Sequence, residues 1–466
     1  MDLNVSKTSL GAFDAAPAPT PLVLDDTLIE SRDSEPASNS RHSRWMTRSQ
    51  CRRLLDEGGW AALGQVGAAM GALIGMRLIT EVVSPHVFGI VALLTGLSMF
   101  GSNLLCMPLY QATQKYYAHA LDTEGISRLR RVSASLLKRS VLALILLYLM
   151  AGAVWGMLGY GSYWSFICLA ALVPFEAIRA FEITLLGAAR RQKSYGLWTA
   201  LEAWLRPILA VVFALCFGPS PEMVLVGYIL ATGLGIAAFR WLSMPEGIGT
   251  TQATLEGDVA ELRRSLSRFA LPLIPLALTT WAFSLGDRYV VGGLMGLEWV
   301  GIYAAAYALV SRPLLMLGTM IGQTLKPVYY RFVAQGEFYR ASQLLRWWMT
   351  LALVLGCLAV AMIWLLSEQL AALLLAEEFR LGAKLMPWIA AGYVAQTVAT
   401  IFESVLYAHG RTARIALVQG AVAVFALIAV VIGARQNGLL GVAIACPVYF
   451  GFHAILAAIS VKGADT

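Results

Sequence analysis

The sequence predicts an all-α polytopic membrane protein of about 12 transmembrane helices, arranged in two six-helix lobes around a central cleft. The composition, the length of the apolar blocks and an internal repeat predict this fold class. Hydrophobic residues make up 58% of the 466 residues and charged residues only 14%, whereas charged residues make up about a quarter of a typical soluble domain. The apolar blocks are some twenty residues long, and twenty residues of helix rise about 30 Å, the thickness of a bilayer's hydrocarbon core.

The apolar blocks place twelve spans, separated by short polar stretches. In chain order they cover residues 59–80, 88–110, 139–159, 164–187, 195–217, 222–242, 269–292, 299–325, 346–367, 385–408, 413–434 and 439–460. They form an N-terminal lobe, 59–242, and a C-terminal lobe that begins at 269 and takes in the chain end, 269–466. A cytoplasmic linker, 243–268, joins the two lobes.

The chain before the first span has two parts. Residues 1–44 are rich in Pro, Ser and Asp and have almost no bulky apolar clusters, which predicts a disordered cytoplasmic tail. Residues 45–58 form a basic juxtamembrane segment, and a helix that begins just before it would place Arg41, Arg44, Arg48 and Arg52 on one face. These arginines either bind anionic headgroups of the inner leaflet or are the ordinary positive charge that flanks a first span.

Positive charge alternates between the connections. Five connections on one side are basic, and they contain Lys115, Arg128, Arg130, Arg131, Lys138, Arg139, Arg190, Arg191, Lys193, Arg263, Arg264, Arg268, Arg331, Arg340, Arg346, Arg411 and Arg414. The connections of the other side contain only Arg380, Lys384 and Arg435. Because cytoplasmic loops carry the excess of Lys and Arg, both termini are predicted to be cytoplasmic.

An internal repeat relates the two predicted lobes. The segment GMRLITEVVSPHVFGIVALLTGL at the end of the first span is similar to GDRYVVGGLMGLEWVGIYAAAYAL at the end of the seventh. Arg77 aligns with Arg288 and Gly89 with Gly301, with one residue inserted between them. Since both spans run in the same direction, the lobes are predicted to be parallel copies with the substrate path between them.

Several arginines lie inside predicted spans, where each costs about 2.5–3.5 kcal/mol if it faces lipid. Arg179, Arg206 and Arg312 lie well inside spans, and Arg77 and Arg288 lie near the outer ends of theirs. Such residues are expected to face the bundle interior or a wet cavity. A cavity lined by these five cations is a candidate binding site for a phosphate or pyrophosphate headgroup.

Acidic residues accompany these arginines at Glu176, Glu182, Glu202, Asp287 and Glu403. The first four are candidates for binding a coupling ion, a proton or sodium, in one transport state and releasing it in the other. The alternative is that they form structural ion pairs, because helical spacing places Glu176 and Glu182 on the face of Arg179 and places Glu202 one turn before Arg206.

Several classes of function are excluded or unsupported. The chain has no GxxxxGK[ST] phosphate loop, so nucleotide hydrolysis does not drive it directly. Its cysteines and histidines are scattered, which predicts neither a metal site nor a disulfide framework. We expect no bound cofactor, no nucleic-acid partner and no catalytic residues. A membrane glycan polymerase or ligase would be an enzyme with a sizeable outer loop, and the longest outer loop, near 367–384, is short.

The segment LPLIPLALTTWAFSLGDRYVVGGLMGLEWVGIYAAAYALVSRPL, residues 271–314, resembles the polysaccharide-transporter flippases of the multidrug/oligosaccharidyl-lipid/polysaccharide superfamily. The similarity lies in a proline-containing seventh helix that ends in Asp-Arg and in the Gly-x-Tyr start of the eighth. The matching residues are Pro272, Asp287, Arg288, Gly301 and Tyr303. Residues 84–97 and 374–394 resemble the family's outer turns, although Glu377 or Glu378 replaces a usual glycine.

The resemblance implies a secondary transporter of the bacterial cytoplasmic (inner) membrane rather than an enzyme. Its implied substrate is an oligosaccharide on polyprenyl pyrophosphate, moved from the inner to the outer leaflet by alternating access for O-antigen (lipopolysaccharide) or exopolysaccharide synthesis. The expected partners are this lipid-linked oligosaccharide, membrane lipids, and polysaccharide polymerase and assembly proteins. A multidrug or metabolite exporter of the same superfamily is the alternative.

Overall fold

In the computed structural model, the protein is helical throughout the residues that the structure describes, which are 48–121, 125–159, 162–189, 191–242 and 256–462. The predicted tail, 1–44, lies outside these residues, as do the first residues of the basic segment and most of the predicted linker. All the packing described below lies within one compact unit, Arg53–Thr466.

The N-terminal lobe contains seven helices. They are α1 (Arg48–Val82), α2 (Pro85–Leu105), α3 (Met107–Leu121), α4 (Ile126–Met157), α5 (Trp164–Ala188), α6 (Gln192–Phe217) and α7 (Pro221–Leu242). The predicted second span, 88–110, is therefore not one helix, because the chain bends at Cys106, between α2 and α3. Helix α1 packs along α6, where the indole N–H of Trp204 donates to the Gly67 carbonyl at 3.1 Å.

The C-terminal lobe follows an amphipathic linker helix. The remaining helices are α8 (Glu256–Ala270), α9 (Ile274–Leu294), α10 (Leu297–Ala334), α11 (Phe338–Leu374), α12 (Met386–Ala408) and α13 (Thr412–Lys462). Short 3₁₀ segments, Leu271–Leu273 and Glu377–Leu385, precede α9 and α12. Helix α8 lies in the part of the chain predicted as a linker, and its Leu266 packs against Leu129 and Val132 of α4.

The number of membrane spans agrees with the sequence prediction. Ten helices of the described residues are long and apolar enough to cross a membrane. One of them, α13, is two helices joined at a kink, because Asn437 and Gly438 have non-helical backbone angles. Helix α5 is outside the ten but is 25 residues long, which is enough to cross a bilayer. Counting α5 and both halves of α13 gives the twelve spans that the sequence predicts.

The two lobes meet at the end of the bundle that the charge pattern predicts to be outside. Gly89 of α2 packs on the backbone of Leu297 at the start of α10, and Gly301 of α10 packs on the backbone of Pro85 at the start of α2. These are the two glycines that align in the sequence repeat, and the contact is reciprocal. A Cβ at either glycine would overlap the facing carbonyl oxygen, so only glycine permits this approach.

Polar contacts between the lobes continue from the outer end toward the middle of the bundle. The hydroxyl of Tyr289 on α9 donates to the Leu93 carbonyl of α2 at 2.8 Å, and the indole N–H of Trp281 donates to the Gly96 carbonyl at 3.0 Å. The backbone N–H of Ala376 donates to the Thr80 hydroxyl of α1 at 3.1 Å. We call the Gly89–Gly301 contact and these three bonds the outer seal.

Toward the predicted cytoplasmic end, the lobes separate. Residues 301–311 of α10 are buried with the exception of Ala308. Exposed positions recur from Arg312 onward, and they include Leu315 and Met320, which are 49% and 44% exposed. One apolar cluster, around Ile302, contains residues of both lobes. The cluster around Trp348 belongs to the C-terminal lobe, whereas the cluster around Leu266 joins α3 and α4 to the linker helix α8. Apart from the linker helix α8, the contacts between the lobes described here lie in the outer part of the bundle, and we interpret the structure as an inward-open state, given the predicted orientation.

Candidate functional site

Arg312 lies where the cleft between the lobes narrows. Its side chain lines a pocket between α1 and α10, together with Ala69, Leu73, Met76 and Leu309. The surrounding wall is apolar, yet the side chain is exposed because the cleft is open on its inner side. Arg312 has no ion pair or hydrogen bond to any residue that the structure describes. Its charge is therefore available to an anionic group that enters the cleft.

Two further arginines lie within electrostatic range of Arg312. They are Arg206 of α6 and Arg288 of α9, so the cations come from both lobes. The Arg288 guanidinium lies over the Tyr307 ring, 5.2 Å from its centroid, and its buried Nε has no hydrogen-bond partner among the described groups. An unpaired guanidinium on an aromatic ring keeps its donors free for a phosphate.

In the N-terminal lobe, the buried arginines and glutamates form a closed ring of ion pairs. Arg179 donates to Glu176 Oε2 at 2.8 Å and to Glu202 Oε2 at 3.2 Å. Arg206 pairs with Glu176 and lies 2.8 Å from Glu202 Oε1, and it also donates to the Thr232 hydroxyl at 3.0 Å. The Arg206–Glu202 contact is an ion pair without hydrogen-bond alignment, because both of its atoms lack a hydrogen-bond partner. Two arginines thus balance two glutamates, as the structural-pair interpretation predicts.

Replacing Glu176 by glutamine should destabilise the N-terminal lobe, because it leaves two arginines to share one carboxylate. A broken pair costs about 3–5 kcal/mol when buried and about 0–1 kcal/mol when exposed. The Glu176 and Arg179 side chains are 17% and 27% exposed, so we expect an intermediate loss of about 2 kcal/mol. Thermal unfolding of the purified protein measures it.

A matched control for this substitution exists in the C-terminal lobe. Glu337 and Arg340 form a pair with the same helical spacing, but their side chains are 37% and 65% exposed. Glu337→Gln should therefore leave the unfolding temperature nearly unchanged. Equal unfolding temperatures for Glu176→Gln and Glu337→Gln, together with lost transport by Glu176→Gln, would show that Glu176 acts on the substrate or a coupling ion.

The other predicted site residues lie elsewhere. Arg77 pairs with Glu81 and donates to the Leu375 carbonyl beside the outer seal, so the structure does not place it with Arg312. Glu182 pairs with Arg130 of α4, outside the ring. Asp287 is buried, accepts from the Tyr303 hydroxyl at 2.6 Å and accepts from the Arg288 backbone N–H at 2.8 Å. The coupling of Glu176, Glu182, Glu202 and Asp287 to an ion gradient stays a prediction.

The structure adds residues that the sequence interpretation did not select. Tyr228 of α7 lies 5.8 Å from the Arg206 guanidinium carbon and within electrostatic range of Arg312. Tyr307 lies beneath Arg288. The repeated aromatic spacing Tyr303–Tyr307 was a signal for the second of these, since residues four apart share a helix face. His453 and Glu403, far apart in sequence, form a buried pair in the C-terminal lobe.

Comparisons with known proteins agree with this architecture. A family model described as polysaccharide biosynthesis protein matches residues 54–333, and a second, described as MatE, matches residues 272–434. No curated protein matches the sequence significantly.

Solved structures show the same fold. The chain is similar to a lipid II flippase, MurJ, in an inward closed conformation, with a TM-score of 0.63, 12% identity, and coverage of 88% of this chain and 87% of that one. It is also similar to an inward-facing multidrug resistance MATE family transporter of the MOP superfamily, with a TM-score of 0.62, 15% identity, and coverage of 87% and 95%. A third similar structure, from Pyrococcus furiosus, is described as a MOP superfamily transporter with reversed binding-pocket polarity; its TM-score is 0.54, with 13% identity and coverage of 89% and 94%.

Proposed function

The chain belongs to the polysaccharide biosynthesis protein family, whose model matches more than half of it, and on this premise we propose that it is a flippase for lipid-linked oligosaccharides. The proposed substrate is an oligosaccharide repeat unit on polyprenyl pyrophosphate, carried from the inner to the outer leaflet of the bacterial inner membrane. Its product would supply surface polysaccharide synthesis, either O-antigen or exopolysaccharide. Polymerase and assembly proteins would then act on the flipped unit.

The observation that carries this proposal is the set of cations in the cleft. Among the described residues, Arg288 and Arg312 form no ion pair. Asp287 lies within electrostatic range of Arg288, and Arg206 lies within electrostatic range of Arg312. Guanidinium groups bind phosphate oxygens in bidentate fashion, and these hydrogen bonds are about twice as strong as those between neutral groups. The apolar wall of Ala69, Leu73 and Met76 would face the lipid end of the substrate.

The physical task is to move a polar headgroup past hydrocarbon. Its sugars and phosphates lose their water if they enter the bilayer core unaided, at a cost of several kcal/mol for each unpaired polar group. A cleft that opens first inward and then outward lets the headgroup pass between the lobes while the lipid tail stays in the bilayer. Substrate or ion binding must favour one of the two states for net transport.

The second candidate function is drug or metabolite export, and the MatE match to residues 272–434 favours it. An exporter of cationic drugs needs an acidic group in the cleft. Here the carboxylates of Glu176 and Glu202 are paired with arginines, and Asp287 is hydrogen-bonded and buried. Among the described residues, Arg288 and Arg312 at the cleft form no ion pair, which supports an anionic substrate.

Deletion of the protein from its host tests the proposal. The deletion strain should lose its surface polysaccharide and accumulate lipid-linked repeat units on the cytoplasmic leaflet, and a copy of the wild-type sequence should restore both. A strain with normal polysaccharide and increased sensitivity to small cationic drugs would contradict the flippase proposal and favour the exporter.

A further inference from the structure

A buried polar cluster lies in the C-terminal lobe, away from the arginines of the cleft. It consists of Gln396 and Glu403 on α12, and Gln419 and His453 on the two halves of α13; we call it the C-lobe polar cluster. His453 is fully buried and Glu403 is 7% exposed. The Nε2 atom of His453 lies 3.0 Å from Glu403 Oε1, and its Nδ1 lies 3.0 Å from Gln396 Oε1. Gln419 donates to the same Glu403 oxygen at 2.8 Å.

The hydrogen atoms of this cluster can be counted. A neutral imidazole has one N–H, so it can donate to only one of the two oxygens that its ring nitrogens face. If His453 and Glu403 together bind one proton, the imidazolium has two N–H donors and can donate to both Glu403 and Gln396. The alternative is that the Gln396 amide is flipped, so that its NH₂ group faces Nδ1. Neutral His453 then has a hydrogen-bond partner at each ring nitrogen. In that case Glu403 carries a buried negative charge that His453 does not balance, which is costly.

Other titratable groups lie near the cluster. Tyr407, on the same helix, lies within electrostatic range of Glu403, and Lys326 of α10 lies over the Tyr407 ring, 5.4 Å from its centroid. Helix α9 contributes only the neutral Thr280 and Phe283 to the cluster. At the inner end of α13, the Arg414 guanidinium donates to the Ser460 carbonyl at 3.2 Å. Among the ion pairs that the structure describes, Glu403 pairs with His453.

We propose that His453 and Glu403 form a proton-binding site, and that binding and release of one proton there shift the balance between the inward-open and outward-open states. The proposal rests on the alternating access of the proposed function. A proton fits better than sodium, because the imidazole and the Gln419 amide already occupy the Glu403 oxygen that faces the cluster.

A short chain of contacts links this site to the outer seal. The Thr280 hydroxyl lies 3.4 Å from the Gln419 side-chain oxygen. The next residue, Trp281, makes the hydrogen bond to Gly96 of the other lobe. Phe283, one turn further, packs against the His453 ring with centroids 6.1 Å apart. Loss of the proton changes the hydrogen bonds that hold α9 against α12 and α13, and α9 carries half of the outer seal.

The proton itself can be observed without transport. In protein labelled with ¹⁵N-histidine and reconstituted in lipid, the His453 signal is assigned by its loss in His453→Gln. We expect both ring nitrogens to carry protons in the proton-bound state, and we expect Glu403→Gln to abolish this doubly protonated form. A single neutral tautomer of His453 throughout the histidine range, about pH 5 to 8, unchanged in Glu403→Gln, would overturn the proposal.

The effect on conformation is measured with spin labels at the inner ends of the lobes. Arg131 of α4 and Tyr339 of α11 are both exposed, so cysteines there report the width of the inner opening. The distance distribution should change with pH in the parent protein and become pH-independent in both Glu403→Gln and His453→Gln. His409→Gln is the matched control, since this exposed histidine bonds only the Val405 carbonyl, and it should keep the pH response.

The outcomes separate this inference from the proposed function. A pH response that persists in Glu403→Gln and His453→Gln would overturn the proton site, and so would a response to sodium alone. Both substitutions could remove the pH response while deletion of the protein leaves surface polysaccharide normal. That result would support the proton site and contradict only the flippase function.

Discussion

Replacing Arg312 by alanine should weaken binding of polyprenyl-pyrophosphate-linked oligosaccharide by about ten- to a hundredfold and stop surface polysaccharide synthesis. Arg312 forms no ion pair or hydrogen bond with the described residues, so the polar contacts that the substitution removes are those with the substrate. A hydrogen bond to a charged group contributes about 1.5–3 kcal/mol, and each 1.4 kcal/mol is about tenfold in affinity. Binding of a labelled lipid pyrophosphate to the purified protein measures the change.

Two further variants define what Arg312 supplies. Arg312→Lys should recover part of the affinity, since an ammonium keeps the charge but lacks the planar fork that binds phosphate bidentately. Arg340→Ala is the control, because this exposed arginine lies on the same lobe and pairs only with Glu337. Folding should be intact in all three, as judged by protein level and thermal unfolding. Normal transport by Arg312→Ala would place the headgroup site elsewhere in the cleft.

Replacing Gly301 by alanine should shift the equilibrium toward the outward-open state by about five- to a hundredfold. The added methyl would overlap the Pro85 carbonyl while the outer seal is closed. Inserting a methyl group into a well-packed contact costs about 1–3 kcal/mol. This cost disappears once α2 and α10 move apart, so the substitution destabilises the inward-open state and not the other. Transport should fall, because the cycle stalls with the seal open.

Spin labels on the outer ends of the lobes test this prediction. Tyr163 and Arg380 are exposed and belong to different lobes, and the distance between labels there should lengthen in Gly301→Ala. Gly89→Ala should act in the same way, since its methyl would meet the Leu297 carbonyl. Gly293→Ala is the control, because a Cβ there meets nothing within 4 Å. An unchanged distance in both seal variants would show that these glycines do not keep the cleft closed.

The sequence by itself determined the membrane class, the number of spans and the repeat. These properties depend on local features: an apolar block long enough to cross a bilayer needs no partner to be identified, and Gly89 and Gly301 align without knowledge of the fold. The sequence also indicated that Arg179 and Arg206 could pair with the glutamates one turn away, since helical spacing fixes which side chains share a face. The structure shows the pairs of Arg179 with Glu176 and of Arg206 with Glu202. Glu182, also on the face of Arg179, pairs with Arg130 instead.

Only the tertiary structure decided which charges stay free and where the lobes meet. Arg77 and Arg288 align in the repeat, yet one is bonded beside the outer seal and the other lies unpaired over Tyr307. His453 and Glu403 are 50 residues apart and gave no local signal, although the structure joins them in one buried pair. The physical reason is that ion pairs and helix contacts between distant segments depend on how helices pack, whereas a span depends only on its own residues.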